Sequence, residues 1–237
     1  MKKVEVKKRK AVEVTVLIAA KNEGAGLMEI IRSIRPYADE IILVDGNSTD
    51  NTKEIAQKEH VRFFLDHGKG RGDALQIGIK ESEGSIIVFF DADGSHEASD
   101  IPHLIEAIKK GADLAICSRR TGGSFDAEIT VSGMIRSVGA DVLTYLLNKR
   151  FNTHFTDIIY SFRAMKAASA KKLPLTAEGF TVEQEMVALA CYHHYTVVEI
   201  PSREKARGWG ESKLKTIAGI KLFGSLAKLL FIDLQEQ

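Results

Sequence analysis

Short apolar runs alternate with helical spacing along the first half of the chain. Residues 14–20, 40–44, 61–65, 85–90 and 113–118 are β-rich and end in polar or glycine-bearing turns, the pattern of strands. After the first run, Asn22, Glu23 and two glycines open a segment in which Leu27, Ile30, Ile31 and Ile34 recur at helical spacing, and Pro36 ends it. Ser48, Thr49 and Asp50 offer caps for a helix over 52–59. A glycine-rich turn from Gly68 to Gly72 precedes a helix that runs to Ser82, and a further helix fills 99–110. Alternation of this kind predicts an α/β fold with a mostly parallel sheet and helices on its faces. The second half is less regular: an amphipathic stretch at 132–148, a short strand at 162–166, a helix at 182–194, a strand at 196–200 and a closing helical segment. There is no internal repeat or low-complexity linker. One domain over 12–212 is expected, between a basic tail at 1–11 and a C-terminal amphipathic helix at 213–237.

Composition narrows the class without changing this picture. The 237 residues are 44% hydrophobic and 27% charged, which excludes a largely disordered, collagenous or coiled-coil protein. Two cysteines, Cys117 and Cys191, give neither a disulfide framework nor a paired-cysteine metal knuckle, so a reducing compartment is the simplest reading. The net charge of +1 hides an asymmetry: residues 1–10 carry six Lys/Arg against one Glu, residues 203–237 carry seven against four acids, and the middle is acidic. Basic ends on an acidic body suit an anionic surface, a lipid headgroup layer or a nucleic acid; solvated tails are the alternative. The reading adopted is the lipid surface, with no nucleic acid. No signal peptide and no apolar run of about 18 residues are seen, so a cytoplasmic location is expected.

In an open parallel sheet, ligands collect beyond the carboxyl ends of the strands. Here the first strand runs into Lys21, Asn22 and Glu23, the second into Asp45, the fourth into Asp91 and Asp93, and the fifth into Ser118, Arg119 and Arg120. The sharpest element is the run from Phe89 to His96, where an apolar strand delivers two carboxylates one residue apart. Hard oxygen ligands at that spacing, with Ser95 as a third oxygen, suit Mg²⁺ or Mn²⁺ sharing its shell with substrate phosphates. A turn cap is the structural alternative. Gly68, Gly70 and Gly72 miss a dinucleotide fingerprint because position 73 is Asp, although Lys69 and Arg71 lie where a diphosphate would be approached. His67, His96, His193 and His194 lack zinc spacing, and no nucleophile elbow occurs.

Taken together, residues 16–23, the 42–52 run with its VDGNSTDNT, 68–78, the DADGSH segment running into Asp100-Ile101-Pro102, Ser118-Arg119, 157–163 and 207–213 resemble family 2 of the glycosyltransferases. Within that family the chain is similar to the polyprenyl-phosphate sugar transferases of the dolichyl-phosphate mannosyltransferase kind. The resemblance implies a GT-A fold, Rossmann-like, with a nucleotide-sugar site over the strand ends. Carried over by position, it implies nucleotide-sugar binding by Ala19, Lys21, Glu23, Asp45, Lys69, Asp91, Ala92, Asp93 and Arg119, and metal binding by Asp91, Asp93 and Ser95. Asp93, Arg119 and Asp157 are the implied catalytic residues. Asp157 falls on a family pattern Asp-x-x-Ser-Gly-Phe-Arg, written here with Tyr160 and Ser161 at the Ser-Gly positions, and would orient or deprotonate the acceptor. Glu183 or Glu185 could serve instead. Ala19, Lys21 and Gly46 also depart from the family's residues, which leaves GDP-mannose and UDP-glucose both open as donor.

An acceptor that is a lipid phosphate needs cations rather than a base, since its second pKa is about 6. Arg136 and Arg207 are expected to hold it, with Arg119, because a guanidinium fork binds phosphate bidentately; Lys213 matches a family lysine near the phosphates. The segment 213–232 reads as a basic amphipathic helix and 132–148 as a second, suited to peripheral contact with the cytoplasmic face of a membrane. Packing on the domain or on a second copy in a homodimer is the alternative. The expected function is therefore inverting, metal-dependent hexosyl transfer from a nucleotide diphosphate to a polyprenyl or dolichyl phosphate. A soluble acceptor, or a nucleotide-sugar-binding or nucleotidyl-transfer protein, are the other readings.

Overall fold

The structure, a computed structural model, describes residues 11–124, 131–209 and position 224; for 131–136 it describes the backbone only. The expected tail before residue 11 and the segment 213–237 lie outside the described residues, apart from that one position.

Seven strands form one sheet: β1 (Val14–Ala20), β2 (Glu40–Asp45), β3 (Arg62–Leu65), β4 (Ile86–Asp91), β5 (Leu114–Ser118), β6 (Arg163–Lys166) and β7 (Val197–Pro201). Their order is β3-β2-β1-β4-β6-β5-β7, parallel except that β6 runs antiparallel to both β4 and β5. Every residue of β2 and β5 is buried, and all but one residue of β1 and of β4, as near-continuous apolar runs require when helices cover both faces. Side-chain alternation sends Val16, Ile18, Val88 and Phe90 to one face, against Leu27, Ile31 and Ile34 of α1 (Gly24–Ile34) and Leu104 of α4 (Ile101–Lys109). The other face carries Leu17, Ile87 and Phe89, against Leu75 and Ile79 of α3 (Arg71–Glu81) and the long helices α5 (Val131–Phe151) and α6 (Val182–Tyr192). The second helix in chain order, α2 (Thr52–Lys58), buries Ile55 and Ala56 beside α1. All seven expected strands are present, with no end shifted by more than one residue.

Two features of this topology make a site. Chain direction across the sheet reverses between β1 and β4, and the register places Ala19 opposite Asp91 at that switch point, with Ala20 opposite Asp45 beside it. The antiparallel β6 begins level with Phe89 of β4 and Ile116 of β5. Because a reversed strand starts where its parallel neighbours end, the segment before it, residues 156–162, arrives at the same edge as Asp91 and Arg119.

Arg163, the first residue of β6, is 1% exposed and fixes that segment from below. Its guanidinium donates to the carbonyls of Tyr160 (2.5 Å), Ile158 (3.3 Å) and, on α6, Glu183 (2.8 Å). Burial pulls its pKa down to about 10. Arg163→Met should cost about 3 kcal/mol in urea unfolding, because carbonyls of the 158–160 turn and of Glu183 lose their donor inside the protein; an unchanged midpoint would show that these bonds contribute nothing.

Candidate functional site

A cavity of about 400 Å³ opens beyond the ends of β1, β2 and β4, lined among others by Ala19, Lys21, Glu23, Gly46, Arg71, Asp91, Ala92, Asp93, Ser95, Arg119, Ser161, Glu183 and Arg207. Its floor is the turn after β4. Gly94 there has φ +82°, a left-handed conformation that other residues rarely adopt, and it allows the Ser95 amide (2.9 Å) and hydroxyl (2.6 Å) to donate to Asp93 Oδ1. Asp93 Oδ2 receives Arg207 Nη2 at 2.8 Å, and the same guanidinium lies 3.5 Å from Glu23.

Arg207 is held there by its own segment. The amides of Lys205 and Gly208 donate to the carbonyls of Ser95 (2.9 Å) and Asp93 (2.8 Å), and Trp209 Nε1 donates to Ala92 O (3.0 Å). The indole rests on Gly26, where an added Cβ would fall 2.1 Å from the ring, so glycine is required at that crossing. Residues 204–209 thus form a strap over the Asp91–Ser95 turn.

Asp91 is paired differently. Its Oδ1 accepts Arg71 Nη2 at 2.6 Å, its Oδ2 accepts the Ser161 hydroxyl at 2.6 Å, and Arg71 Nε reaches Glu183 at 2.6 Å. Burial opposes ionisation of Asp91, but Arg71 and the Ser161 hydroxyl outweigh it and hold the carboxyl well below its ordinary value. Conversely, burial opposes the charge on Arg71, and Asp91 with Glu183 raises its pKa above normal. Arg71 comes to this place because the first turn of α3 packs tightly on the 176–179 loop: the Gly72 amide donates to Glu178 O (2.8 Å), and a Cβ on Gly72 would meet Ala177 O at 2.0 Å.

Arg119, just past β5, makes a fork on Asp157, Nε to Oδ2 at 2.7 Å and Nη2 to Oδ1 at 3.2 Å, and stacks 4.8 Å over the Tyr160 ring. Asp157 is 2% exposed, also accepts the Ile159 (3.3 Å) and Tyr160 (3.2 Å) amides, and faces Arg119 rather than the cavity. Its geometry is that of a carboxylate orienting an arginine, not of one free to take a proton from an acceptor. Asp45 likewise sits behind the wall, buried, accepting the Ser48 amide (2.9 Å) and hydroxyl; Ser48 Oγ in turn accepts the Asn22 amide (2.8 Å), which ties the loops after β1 and β2 together. Lys69 is exposed on the rim and paired with Glu178 at 3.0 Å. Glu185 holds the amides of Thr176 and Ala177 and is absent from the lining. The side chains of Arg136 and Lys213 lie outside the description.

The structure therefore gathers Ala19, Lys21, Glu23, Asp91, Ala92, Asp93, Ser95, Arg119 and Arg207 around one cavity. It adds Ser161, Glu183, Glu204 and Arg71 with more weight than spacing gave them. Ser161 and Tyr160 had a signal, as departures from a family pattern; Glu204 and Trp209 had none, because a strap is visible only once it is folded.

The direction of the Asp157 shift sets a pH test. Burial works against its ionisation, and Arg119 offsets that and carries the pKa below the ordinary 3.8. A carboxyl depressed on folding stabilises fully above its unfolded value and loses this as pH falls through its native one. Asp157→Asn should then lose about 3 kcal/mol at pH 7 in denaturant unfolding, with the gap from wild type narrowing as the pH is taken below about 4; a constant gap would contradict the pairing.

Comparisons with known proteins give the family and the fold. The sequence profile described as glycosyl transferase family 2 matches residues 15–173. A protein of Pyrococcus furiosus named dolichol-phosphate mannosyltransferase is 31% identical over 86% of the chain, and Glycosyltransferase AglJ of Haloferax volcanii is 27% identical over 75% of it. The chain spans only 59% and 58% of the lengths of these two relatives, whereas an uncharacterized protein of Methanocaldococcus jannaschii, 30% identical, is matched over 90% of both chains. Among solved structures, glucosyl-3-phosphoglycerate synthase of Mycobacterium tuberculosis, crystallised with Mn²⁺, UDP and phosphoglyceric acid, superposes with a TM-score of 0.75 at 19% identity over 92% of this chain and 78% of that one. The same enzyme with Mg²⁺ and UDP gives 0.74 at 19% identity over 92% and 79%. The fold is the GT-A fold of these enzymes, and the chain belongs to glycosyl transferase family 2.

Proposed function

We propose that this glycosyltransferase moves a hexose, with inversion, from a nucleotide diphosphate sugar, GDP-mannose or UDP-glucose, to a polyprenyl or dolichyl phosphate at the cytoplasmic face of a membrane. The observation that carries the reading is the placement of two guanidinium groups, Arg119 and Arg207, around the cavity that also holds the carboxylates of Asp91 and Asp93. Donor diphosphate and acceptor phosphate both need compensation, and this cavity offers arginine charge for one and carboxylates for the other's cation.

The donor set fits Mg²⁺ or Mn²⁺. Asp91, Asp93 and Ser95 are hard oxygen ligands, and Arg207 on Asp93 Oδ2 is a positive charge already standing at that carboxylate. Among the described residues no three His, Cys, Asp or Glu converge as a metal cage, so diphosphate and water would complete the shell, as is usual for Mg²⁺. When bound, the cation neutralises charge on the departing nucleoside diphosphate. The chain's own residues do the rest. Ala19, Lys21 and Glu23 line the nucleotide side, with Asp45 behind them and Lys69 at the rim; Arg119, held by Asp157, and Arg207 receive the acceptor phosphate, with Arg136 and Lys213 as further cations. A lipid phosphate is largely dianionic near neutral pH, with a second pKa of about 6, and attacks without a protein base. An Asp157 engaged by Arg119 and by the Ile159 and Tyr160 amides is consistent with that chemistry.

Helix α5 supports the membrane side of the reading. It buries Leu143 and Leu147 in the domain, yet Val138 (62% exposed), Val142, Tyr145 (59%) and Leu146 form a second apolar stripe facing outward, followed by Lys149 and Arg150. A doubly apolar helix with basic residues at its end suits a headgroup layer. Among the described residues no helix is long and apolar enough to cross a membrane. A soluble phosphorylated acceptor is the second reading, since a guanidinium binds phosphate whatever carries it.

Asp93→Ala should abolish transfer from either donor; near wild-type turnover, with metal removed, would end the metal-dependent reading. Arg207→Ala should raise KM for polyprenyl phosphate about tenfold or more while leaving nucleotide binding within about twofold, read by thermal shift with GDP-mannose and UDP-glucose. Deleting 214–237 should remove activity on lipid phosphate in vesicles. Turnover of a water-soluble phosphate that survives the deletion would favour the second reading.

A further inference from the structure

His96 lies directly behind the Asp91 carboxylate and takes no part in the function proposed above. Its side chain is completely buried, stacked on Phe162 (4.7 Å between centroids, 15° between planes) and met edge-on by Phe90 and Tyr160, each at 5.1 Å. A ring clamped on three sides has a fixed orientation, and its hydrogen bonds can be assigned from their partners. Nδ1 lies 3.1 Å from the Asp91 amide, which can only donate, so Nδ1 accepts and carries no proton. The proton of the neutral ring is then on Nε2, which is 3.1 Å from Ser161 Oγ. Ser161 Oγ accepts that proton and gives its own to Asp91 Oδ2 at 2.6 Å, since a carboxylate can only accept.

The three bonds form a closed circuit. The Asp91 amide donates to His96, His96 to Ser161, and Ser161 to the side chain of Asp91 itself. With Oδ1 taken by Arg71 (2.6 Å), the carboxylate has one permitted rotation, and two of its roughly four lone-pair directions remain for a ligand. The circuit needs a hydroxyl at position 161, because only a group that both accepts and donates can link His96 Nε2 to the Asp91 carboxylate. Outer partners that orient a ligating carboxylate commonly change metal affinity by tenfold or more.

We propose that His96 and Ser161 are positioning residues that fix the Asp91 carboxylate in the orientation that receives the divalent cation and diphosphate. This rests on the reading of Asp91 and Asp93 as the cation site. It is tested on the full chain by titrating Mn²⁺ alone and following free ion by electron paramagnetic resonance, with thermal unfolding of each variant as a check on folding. Ser161→Ala should weaken Mn²⁺ binding roughly tenfold and Ser161→Thr should restore it to within about twofold. His96→Phe, which keeps the stacking and removes both ring nitrogens, should match Ser161→Ala, and the double variant should be little worse than either, since one circuit is broken in each case. Asp93→Ala is the control for the site itself. If it abolishes Mn²⁺ binding while folded Ser161→Ala binds as wild type, the positioning role is wrong and the cation site stands. If Asp93→Ala binds Mn²⁺ as wild type, the cation site is wrong and the positioning role falls with it. Should His96→Phe fail to fold, Ser161→Ala decides alone.

Discussion

Carboxylates brought together in a partly buried cavity cannot all stay ionised without positive charge among them. Glu23, Asp91, Asp93, Glu183 and Glu204 share one cavity here; Arg119 pairs with Glu204, and the other four are answered by two arginines, Arg71 between Asp91 and Glu183 and Arg207 between Asp93 and Glu23. The two are not equivalent. Arg71 belongs to a regular helix anchored on the 176–179 loop, and its bonds are short and bidentate in effect. Arg207 is carried by an irregular strap held by three backbone-directed hydrogen bonds, and its second contact is longer at 3.5 Å. On the proposed function, Arg71 is permanent compensation, whereas Arg207 is the cation that gives way at Asp93 and is then available to a phosphate.

The fold produces this arrangement through one departure from parallel order. A purely parallel sheet would bring the ends of β1, β2, β4 and β5 together but would leave the approach to β6 at the opposite edge. Inserting β6 antiparallel between β4 and β5 delivers Asp157, Tyr160 and Ser161 to the ligand side, where one carboxylate orients Arg119 and one hydroxyl orients Asp91. Arg163 then locks that segment from within the core. Structure and site are therefore coupled: the residues that hold the 156–162 segment in place also set the direction of two groups in the cavity.

Much of this was legible in the chain itself. Buried parallel strands are near-continuous apolar runs, so β1, β2, β4 and β5 stand out, and the residues immediately after them are the ones found at the cavity. Asp91, Asp93, Arg119 and Arg207 could be chosen because each sits at a strand end or in a family motif. Local patterning could not say what a side chain faces. Asp45 and Asp157 carry the residue type expected of ligands, yet the turn at Ser48 and the fork of Arg119 hold them buried behind the cavity lining. Arg71 and His96 went the other way: the sequence marks one only as a cation near a diphosphate and the other only as a histidine without metal spacing, and the packing of α3 on the 176–179 loop and of the imidazole on Phe162 brings them to Asp91.

The central claim is that a divalent cation and a nucleoside diphosphate take over the charge that Arg207 now supplies to Asp93. The most direct measurement is a crystal structure with Mn²⁺ and GDP or UDP, with anomalous scattering to locate the metal. The account requires an anomalous peak at the Asp93 carboxylate with Arg207 no longer hydrogen-bonded to it. Nucleotide bound in the cavity with no metal at Asp93, and Arg207 still in place, would contradict it.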